Sequence, residues 1–213
     1  MGLFGGTPKM IDQKTALKGR EDYPFAVAET NVVTGNQMLP PYPDGFETAV
    51  FGMGCFWGAE RIFWQLDGVW TTYVGYAGGF TPYPTYEEVC SGSTGHAEVA
   101  VVVFDPKQIT FEALVAVFYE NHNPTTLYQQ GNDVGTQYRS TILTTKDQQI
   151  DEVKQVTQAY QVKLTEAHFG EITTTVGPVG HIYAAEGYHQ QYLKKNPNGY
   201  CNHGFNGVSC PVG

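Results

Sequence analysis

Apolar and polar positions along this chain alternate between two rhythms. Residues 46–53, Phe-Glu-Thr-Ala-Val-Phe-Gly-Met, read as a short strand, and Ala59, Ile62, Phe63 and Leu66 then recur at i, i+3, i+4 and i+7, the spacing of one buried helix face. A second strand is expected over Val69–Ala77 and a short helix over Tyr86–Cys90. Val99–Phe104 is an unbroken apolar run, suited to a central strand covered on both faces. Thr110 can cap a helix whose face is Phe111, Leu114, Val115 and Phe118. A strand over Tyr138–Thr144 follows, then a longer helix opened by the capping box Thr145-Lys146-Asp147-Gln148, and a strand over Ile172–Val176.

This order predicts an α+β fold, a two-layer sandwich of helices on a mixed β-sheet with a ferredoxin-like split β-α-β core. The expected organisation is one domain: an irregular N-terminal arm over 1–45, a catalytic core over 46–176, and a coil-rich tail over 177–213. Tyr23, Phe25, Val27 and Leu39 suggest that the arm lies against the core. The tail should be mobile coil after one short helix near Tyr188–Lys194.

Charge narrows the partners. Against 12 basic residues stand 21 acidic ones, a formal charge of −9 that repels phosphate backbones and anionic lipid heads, so neither nucleic acid nor membrane is expected. No apolar run is long enough to span a bilayer, and Met1–Gly6 lacks the layout of a secretory leader or of a myristoylation signal. The chain therefore reads as a cytoplasmic monomer, in which four cysteines are catalytic or redox-active sooner than structural.

Cys55 is the focus of that chemistry. It stands in Gly52-Met53-Gly54-Cys55-Phe56-Trp57-Gly58, between the first strand and the first helix. Unpaired N–H groups at a helix start favour an anion, which is expected to lower the thiol's pKa. Taken alone, Cys55 is as readily a small buried hydrophobe, and Phe56 and Trp57 are as readily core.

Gly54-Cys55-Phe56-Trp57-Gly58 resembles the signature of the A-type peptide methionine sulfoxide reductases. The resemblance continues through Gly75–Gly79, Pro84–Gly92, Thr94–Glu98, Gly131–Ser140, His189–Leu193 and Asn196–Cys201, in that order, and spans roughly residues 47–210. It implies the same fold class and a thiol-dependent repair of methionine sulfoxide, free or in proteins, with selectivity for the S epimer. Cys55 would attack the sulfoxide sulfur and keep its oxygen as a sulfenic acid. Glu98, in an apolar pocket, would hold and donate a proton. Tyr86 and Tyr138 would bind the oxygen, with Asp133 orienting Tyr138 or a water. Phe56 and Trp57 would enclose the methyl group, with His189, Tyr192 and Tyr200 bordering the substrate. Cys201 would resolve the sulfenic acid as a disulfide, and Cys210 would pass the disulfide to a thioredoxin-like reductant. The segment Asn202–Ser209 carries fewer glycines than the family's usual tail, which makes this last transfer stiffer. No cofactor and no metal is implied. Cys90 is left structural, and His96, His122 and His203 are left as supporting or surface residues.

Three rivals are distinguishable. His96-Ala97-Glu98 matches half of a zinc deaminase signature, but the chain has no Pro-Cys-x-x-Cys to complete it. The 14 Tyr, 12 Phe and 3 Trp could build an aromatic cage for a methylated cation, a reader that would need no cysteine. A thiol peroxidase would share the sulfenic acid chemistry and differ in its oxidant.

Overall fold

A computed structural model describes residues 8–212; the opening Met1–Gly6, read above for leader signals, lies outside them. Strand β1 (Glu47–Met53) runs into helix α1 (Phe56–Trp64), which returns the chain to β2 (Val69–Ala77). Helix α2 (Tyr86–Cys90) and β3 (Ala97–Phe104) follow, then α3 (Phe111–Glu120). A two-strand ribbon, β4 (Gln129–Gln130) and β5 (Asp133–Val134), leads through a 3-10 turn (Thr136–Tyr138) to β6 (Ser140–Thr144). Helix α4 (Asp147–Glu166), β7 (Thr175–Pro178), β8 (Ile182–Ala184) and α5 (Tyr192–Lys195) complete the order.

Six strands form one mixed sheet in the order β7-β6-β1-β3-β2-β8. β3 lies between β1 and β2 and is antiparallel to both, while β6 and β7 pair in parallel. All eight residues of β3 are buried, as its apolar run predicts for a central strand. Period-2 alternation divides its side chains between two covers. Ala100, Val102 and Phe104 join Ala49, Phe51 and Met53 beneath α1, α3 and α4, where Phe51 stacks on Phe63 at 4.9 Å between centroids. Glu98 is in step with that row, which puts it beside the start of α1.

Among the described residues, no helix covers the opposite face. Val50, Val99, Val101 and Leu143 are covered there by Tyr23, Val27, Ala28, Met38 and Leu39 of the arm, while Phe25 leans on Tyr23 at 5.4 Å. Buried Asn31 fixes the arm by donating to the Thr72 carbonyl at 2.9 Å, and Arg20 grips Glu88 with two hydrogen bonds. An apolar sheet face needs a lid, and irregular chain with its polar groups paired serves.

Local expectations fail where side chains compete. α4 has no capping box: Thr145 gives its N–H to Gln149 and its hydroxyl proton to the Thr48 carbonyl, while Gln148 reaches forward to Glu152. A complete box instead opens α2, from Thr85 and Glu88. The strand expected from Tyr138 starts at Ser140, because Thr136–Tyr138 form the 3-10 turn. β7 lies three residues later than its expected start, and β8 pairs with the edge of β2 in a region read as coil. α5 starts only at Tyr192, because Gln191 is held in a left-handed conformation, φ 46°, by hydrogen bonds from its backbone and side chain to buried Glu60.

Candidate active site

Cys55 occupies the N-cap of α1 and is 6 % exposed. Gly54 before it has φ +102°, and a β-carbon there would strike Gln130, so only glycine allows this turn. The backbone N–H groups of Trp57 and Gly58 favour the thiolate, as expected of a helix start. They do not prevail. Burial first, then the charges of Glu98 and Asp133, push the Cys55 thiol well above its usual range, so the resting site holds a thiol.

Glu98, 2 % exposed on β3, accepts the Phe56 N–H at 3.0 Å. Burial raises its pKa to about 8 despite that hydrogen bond, with Asp133 adding to the rise. The carboxyl is therefore mainly protonated at neutral pH, and Oε1 is free to present the proton. Neutralising Glu98 also removes a negative charge that opposes the Cys55 thiolate, so the acid and the nucleophile favour each other's reactive forms.

Tyr86 and Tyr138 face this pair. Burial raises both phenols, Cys90 lies against their hydroxyls, and Tyr138 feels the charges of Glu98, Asp133 and Cys55. Both therefore remain neutral hydrogen-bond donors. The apolar wall is built from Phe56, Trp57, His189 and Tyr192: Trp57 stacks on Tyr192 at 3.9 Å, and Phe56 lies 5.0 Å from the His189 ring. His189 is 1 % exposed and burial lowers its pKa to about 4, so its neutral Nδ1 accepts the Trp57 Nε1–H at 3.0 Å.

Two supporting residues escaped the sequence reading. Glu186, on the turn before His189, accepts the Tyr76 hydroxyl at 2.8 Å and the Tyr86 N–H at 2.9 Å. Arg139 is buried and donates to the carbonyls of Thr136, Gly78 and Gly95, which ties the Tyr138 turn to the sheet. Neither has a local signal, since their partners lie far along the chain. His96, the half-signature histidine, has both ring nitrogens engaged, with Gly79 N–H and the Thr81 carbonyl.

After α5 the tail is coil, as expected, and hydrogen bonds hold it against the core. Asp133 Oδ2 accepts hydrogen bonds from Tyr200 at 3.2 Å and Asn202 at 2.9 Å, so the tail engages that oxygen of its carboxylate. His203 Nε2 donates to the Met53 carbonyl, and Asn206 donates to the carbonyls of Tyr119 and His122 while accepting the Tyr160 hydroxyl. Cys201 Sγ is 3.1 Å from Arg61 Nη2, and Cys210 N–H donates to Glu120 at 2.6 Å. The four cysteines are unpaired, Cys90 and both tail thiols half-buried.

This geometry meets known proteins at every level of comparison. The family model described as peptide methionine sulfoxide reductase matches residues 47–209. The chain belongs to the A-type peptide methionine sulfoxide reductases. A curated relative, peptide methionine sulfoxide reductase MsrA of Salinispora arenicola, is 57 % identical over 209 residues, covering 96 % of this chain and 94 % of its own. Methionine sulfoxide reductase A of Corynebacterium diphtheriae superposes with a TM-score of 0.86 at 44 % identity, over 97 % of this chain and all of that one. Saccharomyces cerevisiae Mxr1, solved in complex with Trx2, shares the fold at a TM-score of 0.54 and 23 % identity, over 78 % of this chain and 94 % of that chain. In this reductase, as the resemblance implied, the fold is α+β with a mixed sheet. No helix among the described residues is long and apolar enough to cross a membrane.

Proposed function

We propose that the protein reduces methionine sulfoxide, free or in proteins and as the S epimer, to methionine. The observation that carries this reading is the buried Glu98 hydrogen-bonded to Phe56 N–H one residue from Cys55, where burial raises its pKa to about 8. The sulfoxide oxygen sits between Glu98, Tyr86 and Tyr138, and the methyl group lies on Phe56 and Trp57, with His189, Tyr192 and Tyr200 along the rest of the side chain. Cys55 attacks the sulfur as Glu98 gives its proton to the oxygen and takes up the thiol proton in return; methionine departs, and Cys55 retains that oxygen as sulfenic acid. Cys201 then attacks the Cys55 sulfur, water leaves, and a disulfide joins them. Exchange with Cys210 carries the disulfide outward to a thioredoxin-like reductant, a partner supported by the Mxr1 complex with Trx2 as a fold neighbour. The protein works as a monomer in the cytoplasm, where reduced thiols are sustained. Its arm (1–45), core (46–176) and tail (177–213) act as one domain.

The test is a thiol count with one equivalent of methionine sulfoxide and no reductant. One methionine should appear for every two thiols lost from the four, and Cys55→Ser should give neither. Methionine release by Cys55→Ser at the parent rate would remove Cys55 from the reaction.

A further inference from the structure

Gly58, one turn into α1, has no β-carbon because two tail atoms occupy its space. A β-carbon there would collide with His203 Nδ1 and stand 2.9 Å from Cys201 Sγ, so the imidazole nitrogen and the thiol lie against the same face of Gly58 without a hydrogen bond between them. His203 Nδ1 is buried and has no hydrogen-bond partner among the described residues, while the opposite nitrogen donates to the Met53 carbonyl at 2.7 Å. That donation fixes the tautomer: Nε2 carries the hydrogen and Nδ1 is left as a bare acceptor. Arg61 Nη2 meets the same sulfur from α1 at 3.1 Å. An unsatisfied buried acceptor is costly and calls for an explanation.

From this convergence we infer that His203 is the proton acceptor that activates Cys201, with Arg61 holding the negative charge that develops on its sulfur. This rests on the assignment of Cys55 and Cys201 proposed above. Nδ1 takes the thiol proton as Cys201 sulfur attacks the sulfur of the Cys55 sulfenic acid. The S–S bond forms, the S–O bond breaks, and the departing hydroxide receives that proton from the imidazolium and leaves as water. Cys55 sulfur is reduced to the disulfide level and Cys201 sulfur is oxidised to it, so the electrons balance without another reagent.

The surroundings match this role. The charged and titratable groups facing His203 are Arg61 on α1, His122 after α3, and Cys201 on its own tail, whose Sγ lies 3.9 Å from the His203 backbone carbonyl oxygen. Burial and the Arg61 charge lower its pKa to about 4, which keeps the ring neutral beside a thiol. An imidazolium in this place is tolerable only next to a thiolate, so proton and charge move together instead of resting on the histidine.

His203→Gln tests the inference, because its amide can keep the donation to Met53 while supplying nothing at Nδ1. With one equivalent of methionine sulfoxide and no reductant, quenched mass spectrometry follows sulfenic acid turning into the Cys55–Cys201 disulfide. The methionine burst should persist while disulfide formation slows by about 10²-fold, the lower end for a positioned base. Its rate should be flat with pH in the parent but climb about tenfold per pH unit in the variant, where only pre-formed thiolate reacts. Added imidazole should restore speed. Disulfide formation at the parent rate, or a slowing that is equal at every pH and ignores imidazole, overturns the role of His203. Loss of the burst, or the same disulfide mass in Cys201→Ser, counts instead against the Cys55 and Cys201 assignment.

Discussion

The floor of the site and the tail above it hold their cysteines by opposite means. Cys55 and Glu98 sit on a strand end and a helix start whose positions follow from the packed sheet, with Phe51, Phe63 and Phe118 fully buried behind them. Cys201 and Cys210 sit on coil, held by hydrogen bonds from Asn202, His203 and Asn206 to backbone carbonyls of the core. Burial on the floor shifts pKa values, which is what proton delivery needs. Hydrogen bonds on the tail can be exchanged for water at small net cost, which is what a travelling cysteine needs.

Changing the floor should have the largest effect. Glu98→Gln keeps the shape and removes the proton, so single-turnover reduction should slow by about 10²- to 10⁴-fold. In the parent the same measurement should lose rate as pH rises through about 8, where the carboxyl ionises. An unchanged rate in the Gln variant would give the proton to another donor and erase the contrast between the two regions.

A weaker effect is expected from the tail. Asn206→Ala removes donors to the Tyr119 and His122 carbonyls and the acceptor for Tyr160. It should cost about 1–3 kcal/mol in denaturant unfolding, the scale for stranding partly buried polar groups. It should leave the methionine burst intact. A lost burst would mean that tail and floor are one rigid unit.

The smallest effect concerns stability. Glu60, with its pKa raised to about 7, and Glu98, raised to about 8, both bind protons more tightly when folded than the unfolded value of about 4.3 allows. Their contribution to stability is therefore complete below that unfolded value and is lost as pH rises through about 7 to 8. The Tm should decline by a few degrees over this window, and less steeply in Glu98→Gln, where only Glu60 remains. Equal slopes in the two proteins would show that Glu98 is not protonated in the folded state.

How far each region was legible follows the same division. The Cys55 turn and the helix behind it could be read because residues 46–66 carry both periodicities in one short stretch. Glu98 lay just before the apolar run Val99–Phe104 and was reached through the family resemblance; β3 starts at Ala97 and takes the carboxyl into the buried strand. The tail's attachment could not be read, since Asn206 meets partners 84 and 87 positions away and no periodicity encodes such pairings. The arm was half legible: its apolar residues implied contact, but not that they roof a sheet face lacking helices. The Thr85–Glu88 capping box was present in the sequence, overlooked inside a helix of five residues, while the one read at Thr145 yielded to Gln149.

The claim that the floor reduces and the tail resets is tested most directly with Cys201→Ser, one equivalent of methionine sulfoxide, and no reductant. One methionine per protein should appear at the parent's single-turnover rate, followed by arrest with sulfenic acid on Cys55. No methionine, or oxygen trapped on a cysteine other than Cys55, would contradict it.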